Sequence, residues 1–435
     1  MSDGYFKRNY AWLILVALAA VLACAGYWLL FTTFMIYDDE GYVLLSLKNF
    51  SRHGRLYDQV YTQYGPFPYL LYDALHRLLG FAYTNTTGRW ITLINWLGTA
   101  SACAALVART TRSLLWSGFT LTATFLLLWV MINEPIHPGS LITAIVALTT
   151  WLGAEAWRAQ RLGWFTALCG LTSAVLLLTK VNVGVFYTGA VVTWLVLNTA
   201  SRSLRRPLLW LVGLGCAALP FALMWSLISE PWVRLLALVF AASSLGILLS
   251  AQRSSPAGVT VREWISLLVW SVAGVALLCA LTLWRGTSVF GLVDGVILEP
   301  LKHPGVYFFP IKWRPGSGVL ALLSLVAVAC TAQLDLWDKP RFREIVAVIR
   351  VAAAGFCLLG SFGLTSTTVA TWTLSYGLSL AWIFALPLTK GQQDTSIRAW
   401  IAVLLAFQSL QVYPVAGSQL NWGTFLWIPL LALGL

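Results

Sequence analysis

Long apolar segments alternate with short polar connections along almost the whole chain. The first, residues 11–34, is longer than the apolar core of a signal peptide, which has about 7 to 15 residues. A helix needs about 20 apolar residues to cross the hydrocarbon, and sorting the segments between charge clusters predicts about thirteen or fourteen transmembrane helices. We therefore predict an all-α, polytopic membrane protein with a single transmembrane domain over residues 1–435.

Composition supports this class. The 435 residues are 59% hydrophobic and only 10% charged, whereas a soluble domain is about one quarter charged. The formal net charge of +12 would indicate nucleic-acid binding in a soluble protein, but in a membrane protein its placement matters more. The seven cysteines lie in apolar segments without a CxxC motif, which predicts small buried side chains rather than a metal site.

Basic residues mark every second connection, which predicts the topology. Cytoplasmic connections of membrane proteins are enriched in Lys and Arg, and seventeen of the 28 fall into the N-terminal segment and alternate connections. The other connections are then extracytoplasmic: 37–90, 133–139, 177–184, 229–234, 284–318, 366–372 and 413–423. We predict a multi-pass protein of the inner (cytoplasmic) membrane, in the cell envelope, whose functional groups face outward.

The chain ends inside apolar sequence. The last segment, residues 424–435, is too short to cross a bilayer unless it is tilted or continued. The sequence therefore predicts a truncation there.

The first outer loop, residues 37–90, carries the acidic triplet Asp38, Asp39 and Glu40. An amphipathic helix is predicted after the triplet, ending at His53-Gly54, and a second from Pro66 to Gly80. The second helix has a leucine-rich face opposite Asp73, as in helices that lie along a membrane surface. The triplet alone also fits a simpler interpretation, in which acids stabilise the N-terminus of a helix.

The order of these features resembles the C superfamily of membrane glycosyltransferases (GT-C). Asp-Glu-Gly-Tyr soon after a first span, then a helix, a Gly/Pro-containing segment and a second surface helix are similar to bacterial relatives of protein O-mannosyltransferases and aminoarabinose transferases. The similarity covers loop order and short motifs over residues 1–190 and is mainly hydropathy beyond them.

The resemblance implies a GT-C-like fold and a polyprenyl-phosphate sugar donor. The acceptor would be an extracytoplasmic glycan, lipid or protein, and an Asp of the first outer loop would lie at the reaction centre. Relatives often have Lys-Pro after the Asp-Glu segment, with the Lys on a phosphate, but this chain reads Gln63-Tyr64-Gly65-Pro66. The phosphate contact is then expected elsewhere.

By this resemblance Asp39 is predicted to be the general base, with Glu40 orienting it or binding the acceptor and Asp38 as the alternative base. Crowded carboxyls raise at least one pKa through like-charge repulsion. A second interpretation places Mg²⁺ or Mn²⁺ on Asp38 and Glu40, as in the D-x-D motifs of metal-dependent relatives. We predict no metal and no cofactor.

Further substrate-binding candidates come from four connections that are predicted to be extracytoplasmic. Each also has a structural interpretation: a tight turn for NEPIHPG, a Lys that extends to the interface for LLTKVNVG, and membrane anchoring for the cations among aromatics. The functional interpretation assigns sugar hydroxyls or the carrier phosphate to these groups. They are Gln63, Tyr64, Glu134, His137, Lys180, Asn182, His303 and Arg314.

Two other classes remain open. A transporter or lipid-linked-sugar flippase would place charges in mid-span and often contain two repeated halves, and neither feature is evident. A non-catalytic membrane subunit of a larger assembly is compatible with the missing Lys. The sequence has no nucleotide-binding glycine loop, which fits a lipid-carried sugar, and we predict no nucleic-acid partner.

Overall fold

The computed structural model describes residues 2–33, 39–252, 257–334, 336, 339–359, 365–386 and 393–435. Within these ranges the chain is 82% helical and has no strands. Two further segments, Asp294–Leu298 and Thr373–Gly377, are π-helical. The helices in chain order are α1 Ser2–Thr32, α2 Asp39–His53, α3 Pro66–Leu79, α4 Asn85–Thr111, α5 Leu114–Leu128, α6 Pro138–Arg158, α7 Leu162–Leu177, α8 Val181–Leu197, α9 Arg202–Leu223, α10 Pro231–Ala251, α11 Val261–Trp284, α12 Val289–Val293, α13 Glu299–Val306, α14 Ser317–Gln333, α15 Pro340–Leu359, α16 Ser366–Trp372, α17 Leu378–Ala385, α18 Gln393–Ser409, α19 Gln419–Thr424 and α20 Trp427–Gly434.

Eight helical segments among the described residues are long and apolar enough to cross a membrane. They are Trp12–Thr32, Asn85–Thr111, Leu114–Asn133, Pro138–Arg158, Arg202–Leu223, Pro231–Ala251, Val261–Trp284 and Thr395–Val412. Three shorter apolar helices, α7, α8 and α14, accompany them. The chain is therefore an all-α, multi-pass membrane protein, as the apolar pattern predicts.

The predicted number of spans, about thirteen or fourteen, exceeds these eight. Several apolar segments form helices of 16 or 17 residues, namely α7, α8 and α14. The segment 366–385 is divided by a π-helical stretch, and the last apolar segment is divided between α19 and α20. Apolar length read from sequence thus overestimates the length of uninterrupted helix.

Small residues bring some helices close together. A Cβ on Gly170 of α7 would lie 2.8 Å from the Leu267 carbonyl oxygen of α11, and one on Gly274 of α11 would lie 2.7 Å from the Ala174 Cβ. Close backbone approach at small residues is the usual way in which membrane helices pack. The span within α18 is 94% buried, whereas the spans of α9 and α11 are largely exposed and form the outside of the bundle.

The predicted outer connections meet at one end of the bundle, which we call the site end. Backbone N–H groups of Gly65 and Phe67 donate to the carbonyls of Thr179 and Leu178 at 2.9 and 2.8 Å. Phe309 forms a pair of backbone hydrogen bonds with residues 414–416. These contacts join four predicted outer connections in two pairs, and the partners in each pair are more than 100 residues apart.

The predicted cytoplasmic connections meet at the other end, which we call the opposite end. Arg109 and Arg158 both contact Glu155, so the α4–α5 and α6–α7 connections adjoin. Backbone hydrogen bonds of 2.9 Å connect Val259 with residues 198–200. The contacts confirm that alternate connections lie at alternate ends, as the basic clusters predict.

The first outer loop folds into a compact module with its own apolar core. Val43, Leu47 and Phe50 of α2 pack with Tyr69 and Tyr72 of α3. Both predicted helices are confirmed: α2 ends at His53, and α3 runs from Pro66 to a left-handed Gly80 with φ 69°. A glycine suits this last position because it lacks a Cβ.

The leucine-rich face of α3 is exposed only towards its C-terminal end. Leu78 and Leu79 are 81% and 67% exposed, whereas Leu70, Leu71 and Leu75 pack against the core of the module. Asp73, predicted on the polar outer face, is instead buried between Arg77 and Arg285, with Oδ2 to nitrogen distances of 2.8 and 3.4 Å. The pattern of one helix could not reveal Arg285, which belongs to a distant connection.

The cysteine prediction is only partly right. Four of the seven are buried, but Cys24 and Cys330 are exposed and Cys279 is half-buried. Cysteine is small and weakly polar, so the lipid-facing surface of a membrane helix accommodates it as well as a core does.

Candidate functional site

Of the acidic triplet, Asp39 and Glu40 lie within the described residues and have different surroundings. Glu40 is 2% exposed and accepts two hydrogen bonds of 3.0 Å from Arg89, through Nε and Nη2. Arg89 also donates through Nη1 to the Leu30 carbonyl at 2.7 Å. Glu40 therefore joins α2 to the end of α1 and the start of α4. This is a structural function, and the predicted catalytic function of Glu40 stays a prediction.

Asp39, one residue earlier, begins α2 and is half-buried. Burial raises the pKa of Tyr64, and the charge of Asp39 raises it further. The same charge opposes the fall in the pKa of His137. A charge acts over a longer distance where the dielectric constant is low. Asp39 is therefore an electrostatic neighbour of Tyr64 and His137.

Tyr64 is fixed by its backbone. Gly65, the next residue, has no room for a Cβ, which would lie 2.3 Å from the Leu178 carbonyl oxygen. The Tyr64 carbonyl accepts a hydrogen bond of 2.8 Å from the Tyr57 hydroxyl. The segment that lacks the family's Lys thus runs directly beside the turn that precedes Lys180.

His137 lies at the start of α6 and binds Tyr64 directly. Its Nδ1 accepts the backbone N–H of Gly139 at 3.0 Å and so caps the helix, while Nε2 lies 2.7 Å from the Tyr64 hydroxyl oxygen. Burial and, to a smaller extent, the charge of Lys180 lower the pKa of His137 to about 3. Near neutral pH the ring is uncharged.

Glu134 connects the site to the last predicted outer connection. Its Oε2 accepts a hydrogen bond of 2.8 Å from the Ser418 hydroxyl and lies 3.5 Å from His137 Nδ1. Burial raises the pKa of Glu134, while the Ser418 hydrogen bond and the charge of Lys180 lower it. The carboxyl group is thus held next to both α6 and the 413–419 segment.

Lys180 precedes α8 and has no carboxylate partner within 4.0 Å among the described residues. Its Nζ lies 5.0 Å from the centre of the Trp422 ring. Nζ also donates to the Gln419 amide oxygen at 3.2 Å, when the amide is oriented so that both its oxygen and its nitrogen have partners. Burial lowers the pKa of Lys180 to about 8, against the attraction of Glu134. Such a cation is available to an anionic ligand.

The remaining candidates are distributed around this cluster. Gln63 donates through Nε2 to the Tyr64 hydroxyl at 3.2 Å. Asn182 is half-buried in the first turn of α8 and accepts from the Val183 N–H at 3.0 Å. Arg314 lies over the Trp372 ring at 5.7 Å and contacts Ser375 through its backbone, so no contact joins it to Lys180. Asp38 and the His303 side chain lie outside the described residues.

Sequence reasoning missed two partners. Arg89 was not recognised, although a lone Arg in the first turns of a long apolar helix signals a buried charge that needs a partner. Trp422 is not among the candidates, and its sequence position gives no sign that it covers Lys180. Ser418 and Gln419 belong to a turn that is also compatible with a purely structural function.

The metal interpretation requires further ligands beside Asp38 and Glu40. The described part of the chain contains no group of three or more His, Cys, Asp or Glu side chains that could hold a metal ion. Asp38, one of the two proposed ligands, lies outside it, and the other, Glu40, is paired with Arg89. The site as described offers two carboxyl groups, those of Asp39 and Glu134, together with a cation and two hydrogen-bonding rings.

In comparisons with known proteins, the chain matches no family model, no curated protein and no solved structure. The resemblance to GT-C transferases therefore stays a prediction, and the functional argument depends on the site.

Proposed function

We propose that this protein is an integral membrane glycosyltransferase that moves a sugar from a polyprenyl-phosphate carrier to an acceptor hydroxyl. The observation that carries the proposal is the convergence of a carboxylate and a cation from distant connections. The charge of Asp39 acts on Tyr64 and His137, and the charge of Lys180 acts on His137. Tyr64 and His137 are themselves hydrogen-bonded at 2.7 Å. Base and phosphate contact are the two charged functions that such a transfer needs.

The reaction would be a single displacement. Asp39 takes the proton of the acceptor hydroxyl, whose oxygen forms a bond to the anomeric carbon of the sugar. The bond from that carbon to the phosphate oxygen breaks, and the electron pair leaves with the lipid phosphate. Lys180 stabilises this growing charge at the phosphate. It can do so because its direct contacts, the Trp422 ring and the Gln419 amide, are uncharged.

The site end would face the extracytoplasmic side of the inner membrane. The opposite end contains the clusters of Arg and Lys that mark cytoplasmic connections, such as Arg109, Arg158 and Arg161. The exposed leucines of α3 would lie on the lipid near the outer headgroups. This arrangement lets a lipid-anchored donor reach the site laterally, with its phosphate at the depth of Lys180.

The experiment is a transfer assay with the purified chain in vesicles and a labelled polyprenyl-phosphate sugar. We expect sugar release with the wild type and at least a thousandfold loss, roughly, with Asp39→Asn, because the base is removed. Glu299→Gln is the matched control, since Glu299 is an exposed carboxylate of a predicted outer connection that pairs with Lys302.

Three outcomes would change the assignment. Undiminished turnover in Asp39→Asn would remove Asp39 as base. Turnover that requires added Mg²⁺ or Mn²⁺ would favour the metal mechanism. Movement of the labelled lipid across the vesicle membrane without sugar release would identify a flippase instead.

A further inference from the structure

The hydrogen-bond order between His137 and Tyr64 is determined by the backbone. Gly139 donates its N–H to His137 Nδ1 at 3.0 Å, and this bond caps α6. Nδ1 must therefore present a lone pair and carries no proton. In a neutral imidazole the proton is then on Nε2.

The ring has little freedom to reverse this order. Trp422 contacts the ring edge-on, with centroids 6.0 Å apart, and Tyr64 lies edge-on at 5.2 Å. Glu134 Oε2 lies 3.5 Å from Nδ1, farther than the Gly139 nitrogen at 3.0 Å. A Cβ on Gly139 would lie 3.0 Å from Nδ1, so the glycine keeps the capping geometry close.

A donor on Nε2 assigns the acceptor. At 2.7 Å, Nε2–H donates to the Tyr64 oxygen, and the Gln63 amide donates to the same oxygen at 3.2 Å. Neither bond uses the phenolic proton of Tyr64. That proton is left to donate in a third direction.

We propose that His137 is a positioning residue, which fixes the Tyr64 hydroxyl so that its O–H donates a hydrogen bond to a substrate oxygen between Asp39 and Lys180. This inference rests on the proposed function, and it changes the part predicted for His137. The imidazole acts through Tyr64 and does not touch the sugar. Tyr64 itself becomes the substrate-contacting group.

A double-mutant cycle tests this order with the purified chain in vesicles and a labelled polyprenyl-phosphate sugar. Tyr64→Phe removes only the hydroxyl and should lower kcat/KM about tenfold to a hundredfold, as loss of one oriented donor does. His137→Asn retains a capping oxygen for Gly139 but no longer reaches Tyr64, and we expect a similar loss. The kcat/KM of the double variant should be no lower than that of Tyr64→Phe alone.

His137→Gln is the conservative rescue, because its amide nitrogen can occupy the place of Nε2. We expect a smaller loss than in His137→Asn. A merely structural effect of His137 would appear equally in both Tyr64 backgrounds. Losses that multiply in the double variant, or no difference between the Gln and Asn variants, would overturn the inference.

Nitrogen NMR of histidine-labelled protein provides a readout that needs no turnover, since the chain has only four histidines. The signal that disappears in His137→Gln should be the neutral Nε2–H tautomer from pH 5 to 8. An imidazolium or an Nδ1–H tautomer would refute the proposed order. Wild-type protein with this tautomer but without sugar transfer would defeat the proposed function and leave the hydrogen-bond order intact.

Discussion

Charged side chains are partly or fully buried at both ends of the bundle, but their partners differ. At the opposite end, Arg350 is 1% exposed and donates to the carbonyls of Ile383 and Leu386, where α17 ends. Arg398 donates to the carbonyls of Leu386 and Leu433, and Arg158 binds Glu155 and Thr110. Cations near helix C-termini satisfy carbonyls that have no partner within the helix.

At the site end, Lys180 lies against a tryptophan face and an amide oxygen. Neither group neutralises the charge of Lys180. Burial of the charged amine therefore lowers the pKa of Lys180. The difference teaches that burial alone does not distinguish a structural charge from a functional one. The partner does, because a cation that is already bound to carbonyls or carboxylates has little left to offer a ligand.

The largest expected change in stability comes from Glu40. It lies at the site end, but like the buried arginines of the opposite end it already has its partner within the protein. Glu40→Gln should lower the free energy of unfolding by about 3 kcal/mol, because Arg89 is left buried without its partner. Glu299→Gln, at an exposed pair, should change it by less than about 0.5 kcal/mol. Denaturant unfolding in detergent measures both. Equal effects would contradict the structural assignment of Glu40.

Lys180 and Arg158 should separate function from stability. Lys180→Gln should lower kcat/KM for the donor about a hundredfold, the value of a lost charge-assisted hydrogen bond. Arg158→Gln should destabilise the protein and leave kcat/KM of the folded fraction unchanged. Steady-state kinetics with melting curves check the pair, and a kinetic defect in Arg158→Gln would remove the distinction between the two ends.

His137 should make stability depend on pH. Its pKa falls from 6.5 to about 3 on folding, so the unfolded chain binds a proton that the folded chain refuses, and stability is lost as pH falls below 6.5. At pH 5 the loss amounts to about 2 kcal/mol. His137→Gln cannot titrate and should lose less stability between pH 7.5 and 5 than the wild type. A parallel decline of both proteins in thermal melts would refute this.

Lys180 should give a smaller effect on the alkaline side. Because the pKa of Lys180 is about 8, kcat/KM for the donor should fall about tenfold by pH 9 as the cation is lost. Arg stays protonated there, so Lys180→Arg should flatten this decline even if its rate is lower. An alkaline limb that persists in Lys180→Arg would belong to another group.

The fold was largely predictable because its signals are local. Apolar length identifies membrane helices, and basic clusters order their ends, so the grouping of the outer connections followed without any contact information. The amphipathic helices α2 and α3 were also predicted, together with the glycine at position 80. Uninterrupted helix length was not, because π-helical segments and short turns carry no clear sequence signal.

The site was predictable in its members but not in its pairings. Lys180, His137 and Tyr64 were candidates because each lies at the edge of a span, yet nothing in the sequence shows that His137 binds Tyr64. Glu40 illustrates the limit, since its neighbour Asp39 shares the chemistry and differs only in direction. Which side chain points at Arg89 depends on packing between α2 and α4.

The most direct test of the central claim separates binding from turnover in two variants. An unreactive phosphonate analogue of the polyprenyl-phosphate sugar is titrated into Asp39→Asn, Lys180→Gln and the wild type. The account predicts that Asp39→Asn binds it about as tightly as the wild type while releasing no sugar from the true donor, and that Lys180→Gln binds it about a hundredfold more weakly. Full affinity in Lys180→Gln would contradict the account.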